Sequence, residues 1–490
     1  MTEQAAILVQ PPEARLEPDA IGVAQDTVIG MASAAPAVST ALTLAALAAA
    51  TAYAGGLIIV ITAIPMLIIA NSYRRLNLWN ANCGASFEWV GRAINPYLGF
   101  LTGWLMVIGS IIGTLGPVVV LGPSILAIFG ASATATWPNI VIGTTVILVM
   151  LIIAVAGIRL TARTQVALGV IEYLILIGFS LVGLAAVLGH HSGTFLVTRA
   201  WFSPHGIGGQ GSLVAGFLIA VFMFTGWDGT IYVNEEVKHR RRNPGRAAIM
   251  AVTFIAILFI IAQIGLQGVV SPGKLQANSA DALVYTASAL GGPGWAKVMA
   301  LALALSVTAS TNCGIVLTAR MIYGMASHRV LPPALANVSP RFATPVVASV
   351  TVGLLLIAAT WAYLLTTTVA GAFNDVIAAT GLLYATFYVL SALAAMTYYR
   401  RRIISSVRDF TTLGLLPAAA VVFLGWMTAR SLQAASVSQV WSLAGILAAG
   451  VIAMITARLT LKSRFFQIPR ESDPGRGAHS TRKKTATSAW

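Results

Sequence analysis

Carboxyl groups inside long apolar stretches are the residues of this sequence that could do chemistry. Glu172 and Asp228 each lie well within such a stretch. A carboxyl in the middle of a membrane is costly, and buried carboxyls can exchange protons near neutral pH, so both are candidates for proton transfer. A structural pairing of Glu172 with a basic residue such as Arg163 is an equally good alternative. Asp26 and Asp375 begin apolar stretches, and we expect both to be interfacial helix caps.

Two apolar stretches also contain residues that break helices. Pro36 has no N–H, so the carbonyl of Ala32 loses its helical partner. In the other stretch, Gly226 and Gly229 lie on either side of Asp228 and weaken the helix there. Interrupted membrane helices at matching places in two halves of a chain indicate a transporter binding site, where free N–H groups suit a carboxylate and free carbonyls suit an ammonium. The alternatives are an ordinary kink at the proline and close helix packing at the glycines.

The composition shows which elements must position these residues. Of 490 residues, 57% are hydrophobic and only 9% are charged, whereas soluble domains carry about 25% charged residues. A soluble enzyme and a disordered chain are therefore both excluded. A helix crosses a bilayer with about 20 apolar residues, and we predict an all-α polytopic membrane protein with twelve such helices. Their predicted limits are 27–51, 55–73, 97–129, 138–156, 164–188, 212–234, 247–270, 295–323, 345–367, 374–399, 411–429 and 438–459.

The basic residues predict the orientation of the helices. With both termini in the cytoplasm, 26 of the 30 basic residues fall in cytoplasmic segments and four fall outside, which is the bias of the positive-inside rule. The net charge of +15 is then explained by topology rather than by nucleic acid, which would need one basic face. We predict a plasma-membrane protein with a polar cytoplasmic segment 1–26, a transmembrane domain 27–460 and a basic, disordered cytoplasmic tail 461–490.

Little in the sequence indicates a metal, a cofactor or a catalytic centre. The two cysteines, Cys83 and Cys313, have no clustered histidines around them, and a metal site needs such a cluster. A phosphate-binding Gly-Lys-Ser/Thr loop is also missing, so ATP is not expected to drive the protein directly. We expect no cofactor and no enzymatic activity.

Four segments resemble the amino acid–polyamine–organocation superfamily, in particular its bacterial amino acid permeases. The resemblance extends over about residues 22–460, and the order and spacing of the segments make it specific. The segments are 82–89 with 99–104, 157–165, 224–228 with Glu235 and Glu236, and 318–326 continuing to 330–332 and 344–345.

The resemblance implies a fold and a set of site residues. The fold would be the LeuT type, with two inverted five-helix repeats and two C-terminal helices, and substrate would bind between broken spans 1 and 6, closed by spans 3, 8 and 10. The backbone of Ser33, Ala34 and Ala35 would meet the substrate carboxylate, while Phe222, Thr225 and Gly226 would line the pocket, with Phe222 as an aromatic gate. Glu172 and Asp228 would be the coupling groups.

Further gate candidates are Trp104, Trp227, Glu235 and Arg320. A salt bridge of Glu235 or Glu236 with Arg74, Arg75 or Arg320 is one interpretation, and exposed charges at the end of the span are the other. Two departures from the family pattern stand out: its Gly-Ser-Gly-like motif in span 1 is replaced by Ala32–Pro36, and its span 5 lysine by Glu172.

The function implied is secondary transport of an amino acid, expected to be neutral, with the proton as coupling ion and alternating access as mechanism. An amino acid or amine exchanger, or a polyamine carrier, is the alternative, although a cationic substrate would favour more cavity acids than Asp228. A membrane sensor that binds without transport is a third possibility. The sequence does not determine the oligomeric state.

The predicted orientation can be tested with reporter fusions. A fusion in the loop 235–246 should report a cytoplasmic location because the loop carries five basic residues, Lys238, Arg240, Arg241, Arg242 and Arg246. A fusion in the loop 189–211 is the matched control and should report the outside. An external location of the loop 235–246 would contradict the predicted topology.

Overall fold

The computed structural model describes residues 15–473, apart from 132–134, 191–193, 196, 204–206, 208, 280 and 367–368; the side chains of 200, 369–379 and 438 are also outside the description. The described chain is almost entirely helical, which confirms the all-α prediction. Apart from helices, it contains an isolated parallel bridge between Ile21 and Val237. The side chain of Asp375, a predicted helix cap, lies outside the described residues.

The first half of the chain forms seven helices. They are α1 (Val23–Ser33), α2 (Pro36–Thr51), α3 (Gly55–Trp79), α4 (Ser86–Ala93), α5 (Pro96–Ile128), α6 (Thr136–Ala156) and α7 (Ile158–Leu188). Helices α1 and α2 together form the first predicted span, interrupted at 34–35. The short helix α4 lies in the loop between the second and third spans, and its end is separated from α5 by Ile94 and Asn95, whose side chain accepts the Tyr97 N–H as an N-cap.

The rest of the chain forms twelve helices. They are α8 (Gln210–Met223), α9 (Gly229–Tyr232), α10 (Asn243–Gln267), α11 (Pro272–Ala277), α12 (Ala282–Gly291), α13 (Pro293–Ser327), α14 (Val346–Thr366), α15 (Val369–Tyr398), α16 (Arg400–Ile403), α17 (Val407–Asp409), α18 (Leu416–Ala434) and α19 (Val437–Leu459). A π-helical turn, Phe410–Leu415, joins α17 to α18. The described residues also contain four short 3-10 turns: Arg199–Phe202, Asn234–Glu236, Pro333–Ala336 and Arg464–Gln467.

Eleven helical segments among the described residues are long and apolar enough to cross a membrane. The sixth predicted span, 212–234, breaks into α8 and α9, so neither piece alone reaches the length of a span. Helices α5 and α13 are the most buried and pack against each other, whereas α19 is the most exposed. Apolar side chains such as Ile152, Val422 and Ile452 point outward, as expected where lipid covers the surface.

One prediction about the start of the helical domain is wrong: Asp26 is not an interfacial helix cap. The first span begins four residues earlier than predicted, at Val23, and its N-cap is Gly22, whose N–H donates to Gln25 Oε1 at 3.0 Å. Asp26 is therefore inside the first turn and is fully buried, so it is not an interfacial cap. The helices that pack on α1 come from distant parts of the chain, which the hydropathy pattern of the sequence does not show.

The predicted disordered tail also differs from the structure over its first residues. Phe465 is buried and stacks on Phe87 of α4 at 4.2 Å, and Arg92 of α4 pairs with Glu471 at 2.8 Å. Residues 461–473, here called the C-terminal strap, therefore pack on the helical domain. The polar composition of the tail favoured disorder, but Phe465 and Phe466 supply apolar area that burial stabilises. Residues 474–490 lie outside the described residues.

Candidate functional site

The breaks in the first and sixth spans contact each other through their backbones. Ala35 adopts the left-handed conformation (φ 46°), which costs roughly 1–2 kcal/mol for a residue with a Cβ, and Gly226 has φ 102°. A Cβ on Gly226 would lie 2.7 Å from the carbonyl carbon and oxygen of Ser33. Only glycine therefore permits this approach. Strain of this kind is characteristic of functional sites.

The polar backbone groups freed by the first break find partners nearby. The Ala32 carbonyl, expected to lose its partner at Pro36, accepts from the Ala35 N–H at 3.1 Å, and the Ser39 hydroxyl donates to the Ala34 carbonyl at 2.6 Å. The Ala34 N–H donates to the Met31 carbonyl at 3.1 Å. In this conformation the N–H groups of Ala34 and Ala35 are thus engaged within the chain.

A small cavity of about 30 Å³ lies where the two breaks meet. Ser33, Thr225 and Gly226, three of the predicted site residues, line it. The remaining lining residues come from α5, α13 and α15 and are small or carry hydroxyls: Ser110, Gly113, Thr114, Pro117, Ser310, Gly314 and Tyr384. These are the spans 3, 8 and 10 that the family resemblance implies, although the sequence analysis named none of these residues. Hydroxyls recurring in otherwise apolar spans were the available signal.

Three predicted site residues do not line this cavity. Ala34 and Ala35 form the break itself. Phe222, the expected aromatic gate, is buried at the end of α8. Its carbonyl accepts a hydrogen bond from the Thr225 hydroxyl at 2.7 Å. A Cβ added to Gly381 of α15 would lie 4.0 Å from the Phe222 Cβ. Phe222 therefore packs between α8 and α15 in this conformation.

Glu172 caps the second half of the broken first span. One of its carboxyl oxygens accepts the Ala37 N–H at 2.9 Å and the Ser306 hydroxyl at 2.7 Å, and the other has no hydrogen-bond partner among the described residues. A negative charge at a helix N-terminus is stabilised by the helix dipole. The alternative pairing with Arg163 is not formed, because Arg163 is exposed and Glu172 is fully buried.

Asp228 is buried at the second break and is held by two tyrosines. The Tyr388 hydroxyl donates to one carboxyl oxygen at 2.9 Å and the Tyr232 hydroxyl donates to the other. The Trp227 ring stacks on Tyr388 with centroids 5.4 Å apart and meets Tyr73 edge-on at 5.2 Å. Trp227, a predicted gate residue, is thus a core member of an aromatic cluster that surrounds Asp228.

A buried ion pair forms at the end of the sixth span. Arg320 of α13 makes a two-pronged contact with Glu236, with Nε to Oε2 at 2.9 Å and the second nitrogen to Oε1 at 3.0 Å, and both side chains are fully buried. Of the predicted salt bridges of Glu235 or Glu236, the one between Glu236 and Arg320 is therefore formed. Glu235 instead accepts the Cys83 N–H at 3.1 Å, and burial raises the pKa of the Glu235 carboxyl above its ordinary value.

The chain before α1 seals the same region. The N–H groups of Ala20 and Ile21 donate to the Glu236 carbonyl at 2.9 and 3.2 Å, and the Lys238 N–H donates to the Ile21 carbonyl at 2.9 Å. The Asn234 side chain also donates to Asn77 at 2.9 Å. We call this set the contact layer. Its members are Ala20, Ile21, Asn77, Asn82, Cys83, the segment 234–238 and Arg320.

Trp104, the remaining gate candidate, lies elsewhere. Its indole N–H donates to the Ile446 carbonyl at 2.9 Å, and Gly450 of α19 faces the ring so closely that a Cβ there would lie 2.6 Å from it. The side chain thus fixes α19 against α5, which does not support a gate role. Among the described residues, no three His, Cys, Asp or Glu side chains are grouped so that they could hold a metal ion.

The buried ion pair can be tested by removing one partner. Arg320→Gln should lower the stability by about 3–5 kcal/mol, because it leaves the Glu236 charge buried without compensation. Arg159→Gln is the matched control, because Arg159 pairs with Glu17 on the surface and is 61% exposed; this change should have little effect. The measurement is thermal unfolding in detergent.

The double variant E236Q with R320M should recover much of the lost stability, since a neutral pair carries no buried charge. Equal unfolding temperatures for the Arg320 and Arg159 variants would show that the ion pair is not buried as described.

Comparison with known proteins identifies the family of this chain. The amino acid permease family matches residues 27–461. The D-serine/D-alanine/glycine transporter of Escherichia coli K12 is 24% identical over 285 residues, which are 56% of this chain and 58% of that protein. The human Asc-type amino acid transporter 1 is 29% identical over 146 residues, 30% of this chain and 27% of that protein.

The large neutral amino acids transporter small subunit 2 of the mouse is 27% identical over 136 residues, 28% of this chain and 25% of that protein. The matched regions thus span little more than half of the bacterial relative and about a quarter of the two mammalian ones. The family match, in contrast, covers nearly the whole helical domain. This chain belongs to the amino acid permease family.

Proposed function

We propose that the protein is a secondary transporter that moves small neutral amino acids across the plasma membrane by alternating access, driven by the proton gradient. The observation that carries this proposal is the small hydroxyl-lined cavity between the two broken spans. Broken helices at the middle of a membrane protein are the usual position of a transporter site. Membership of the permease family supports transport rather than enzymatic activity.

The cavity favours a small amino acid whose side chain carries no charge. Its lining residues include five hydroxyl side chains from Ser and Thr on α5, α13 and the breaks, together with Tyr384, and none of the lining side chains carries a charge. Its volume of about 30 Å³ is far below the roughly 300–1,000 Å³ of sites for drug-sized ligands. Small amino acids such as glycine, alanine and serine therefore need the least opening, and the name of the bacterial relative mentions the same class.

The breaks provide partners for the two charged ends of an amino acid. The N-terminal end of α2 carries partial positive charge and the C-terminal end of α1 partial negative charge. We infer that the substrate carboxylate meets the backbone of Ser33, Ala34 and Ala35. This requires the N–H groups of Ala34 and Ala35 to leave the Met31 and Ala32 carbonyls, so binding would rearrange the last turn of α1.

Alternating access requires the contact layer to open and close. With both termini in the cytoplasm, as the basic residues favour, the contact layer lies on the cytoplasmic side and separates the cavity from the cell interior. The buried Arg320–Glu236 pair would then have to part, or move as a unit, each time substrate is released. The inverted five-helix repeat stays part of this proposal.

Uptake into proteoliposomes tests the substrate class. Alanine, serine and glycine should accumulate, whereas leucine, arginine and putrescine should not, because the cavity is small and uncharged. Ser110→Ala should raise KM several-fold, since one lost hydrogen bond is worth about 1 kcal/mol. Ser124→Ala is the matched control: it is also buried on α5, but its hydroxyl bonds to the Val120 carbonyl away from the cavity.

The rival functions give different results in the same vesicles. An exchanger would move labelled substrate only when unlabelled substrate is inside, and a sensor would bind substrate without any accumulation. Accumulation of arginine or putrescine in place of alanine would contradict the proposed substrate class, and identical KM values for the two serine variants would contradict the proposed site.

Proton coupling is tested at Glu172. Glu172→Gln keeps an oxygen that can accept from Ala37 and Ser306 but removes the charge at the end of α2. We expect counterflow exchange to survive and accumulation driven by an imposed pH gradient to be lost. Glu17→Gln, at a partly exposed glutamate, is the control and should change neither. If the Glu172→Gln variant still accumulates substrate fully in response to the pH gradient, Glu172 is not the coupling group. Of the two predicted coupling groups, Asp228 would then remain.

A further inference from the structure

Asp26 differs from the other acids inside the helical domain. It is fully buried in the first turn of α1, and neither of its carboxyl oxygens has a hydrogen-bond partner among the described residues. Glu172 accepts an N–H and a hydroxyl, and Asp228 accepts two tyrosine hydroxyls. Of the three acids, Asp26 alone receives no donor from the protein in the described chain.

The other buried residues of α1 around Asp26 are uncharged: Thr27, Ile29, Gly30 and Ala32. Gly30 lies one turn further along the same face of α1, and a Cβ there would contact Thr230 of α9 and Ala251 of α10. Helices α7, α9, α10 and α13 pack on α1. Their titratable and charged groups are Arg159, Arg163, Glu172, Tyr173, Tyr232, Arg246, Lys297, Cys313, Arg320 and Tyr323. In the described chain none of them hydrogen bonds or pairs with Asp26.

A carboxylate in such a place is disfavoured. An ionised carboxyl that is buried without a donor or a countercharge loses its hydration without compensation, whereas the neutral acid loses much less. Two cations on helices that pack against α1 are engaged elsewhere, because Arg320 pairs with Glu236 and Arg159 with Glu17. This geometry favours the neutral carboxylic acid at Asp26 in this conformation.

The position of Asp26 connects it to the contact layer. Ala20 and Ile21, which join the segment 236–238, precede α1 directly, and Asp26 lies within the first turn behind them. Parting of the contact layer would free this end of α1 and admit water to the carboxyl. Hydration would then favour ionisation.

We propose that Asp26 is a proton-binding site that holds a proton while the contact layer is closed and releases it when the layer opens. In that step the O–H bond of the carboxylic acid breaks, the proton passes to water on the side that the layer faces, and the electron pair stays on the carboxylate. This inference rests on the proposed proton-coupled transport and adds to it a group that the sequence suggested was only a cap.

The first test is stability and needs no transport. If Asp26 is neutral and unpartnered, D26N and D26L should fold with unfolding temperatures in detergent equal to or above that of the unchanged protein. A fall as large as that of R320Q, or failure to fold, would overturn the proposal, because it would show that a charge or a hydrogen bond of Asp26 is needed.

The second test observes the proton. The infrared spectrum of the unchanged protein at neutral pH, minus that of D26N, should contain the carbonyl stretching band of a protonated carboxylic acid. Absence of this band, or a carboxylate band in its place, would overturn the proposal.

The third test is transport in proteoliposomes. D26N should retain counterflow exchange and lose most of the accumulation driven by a pH gradient, whereas D281N, at a loop aspartate before α12, should behave like the unchanged protein. Undiminished accumulation in D26N would overturn the proposal. If the unchanged protein moves no amino acid at all, the proposed function fails, and the stability and infrared results still decide whether Asp26 holds a proton.

Discussion

The backbone at the two helix breaks is the constraint on which the rest of this structure depends. Inside a membrane every N–H and C=O group needs a partner from the protein, because lipid offers none. Both breaks meet this demand. At Ala34–Ala35 the partners are the side chains of Ser39 and Glu172, and at 224–228 they are backbone groups of the local turns around Gly226. The cavity exists because these segments do not continue as helices.

Polar groups inside the helical domain are arranged in levels along the spans. Hydroxyls without charge surround the cavity, the carboxyl of Asp228 lies among tyrosines beside it, and full charges are found in the contact layer, where Arg320 and Glu236 neutralise each other. The side chains that line the cavity are therefore uncharged, and the buried ion pair of Arg320 and Glu236 lies in the contact layer. An uncharged cavity next to a charged closure is suited to a substrate whose own charges are taken up by backbone.

The hydropathy of the sequence was sufficient to predict the helical class and the span limits to within a few residues, because long apolar runs have one stable form in lipid. Pro36 and Gly226 also identified the broken spans correctly. Side-chain pairing was less accessible: the sequence allowed a salt bridge of Glu235 or Glu236 with any of three arginines, and the local turn 234–236 decides for Glu236 with Arg320. Trp104 contacts α19, and a local motif contains no information about so distant a partner.

Two further differences from the sequence predictions have a common cause. Asp26 was interpreted as a cap and the C-terminal strap as disordered, because composition describes a segment without the surface that it meets. The acid is enclosed by helices far away in sequence, and Phe465 finds Phe87 only after the chain has folded. Only the structure distinguishes Asp26, Glu172 and Asp228. All three acids are buried to a similar degree, and they differ in the hydrogen-bond donors around them.

The C-terminal strap has a consequence for the order of assembly. It follows the last span in the chain, so the ribosome completes it after every helix that it covers, and domains generally form from the N-terminus during synthesis. Until then the faces of Phe87 and Gly91 on α4 stay uncovered. The strap can therefore dock on α4 only after the last span has been synthesised, so this contact forms late in assembly.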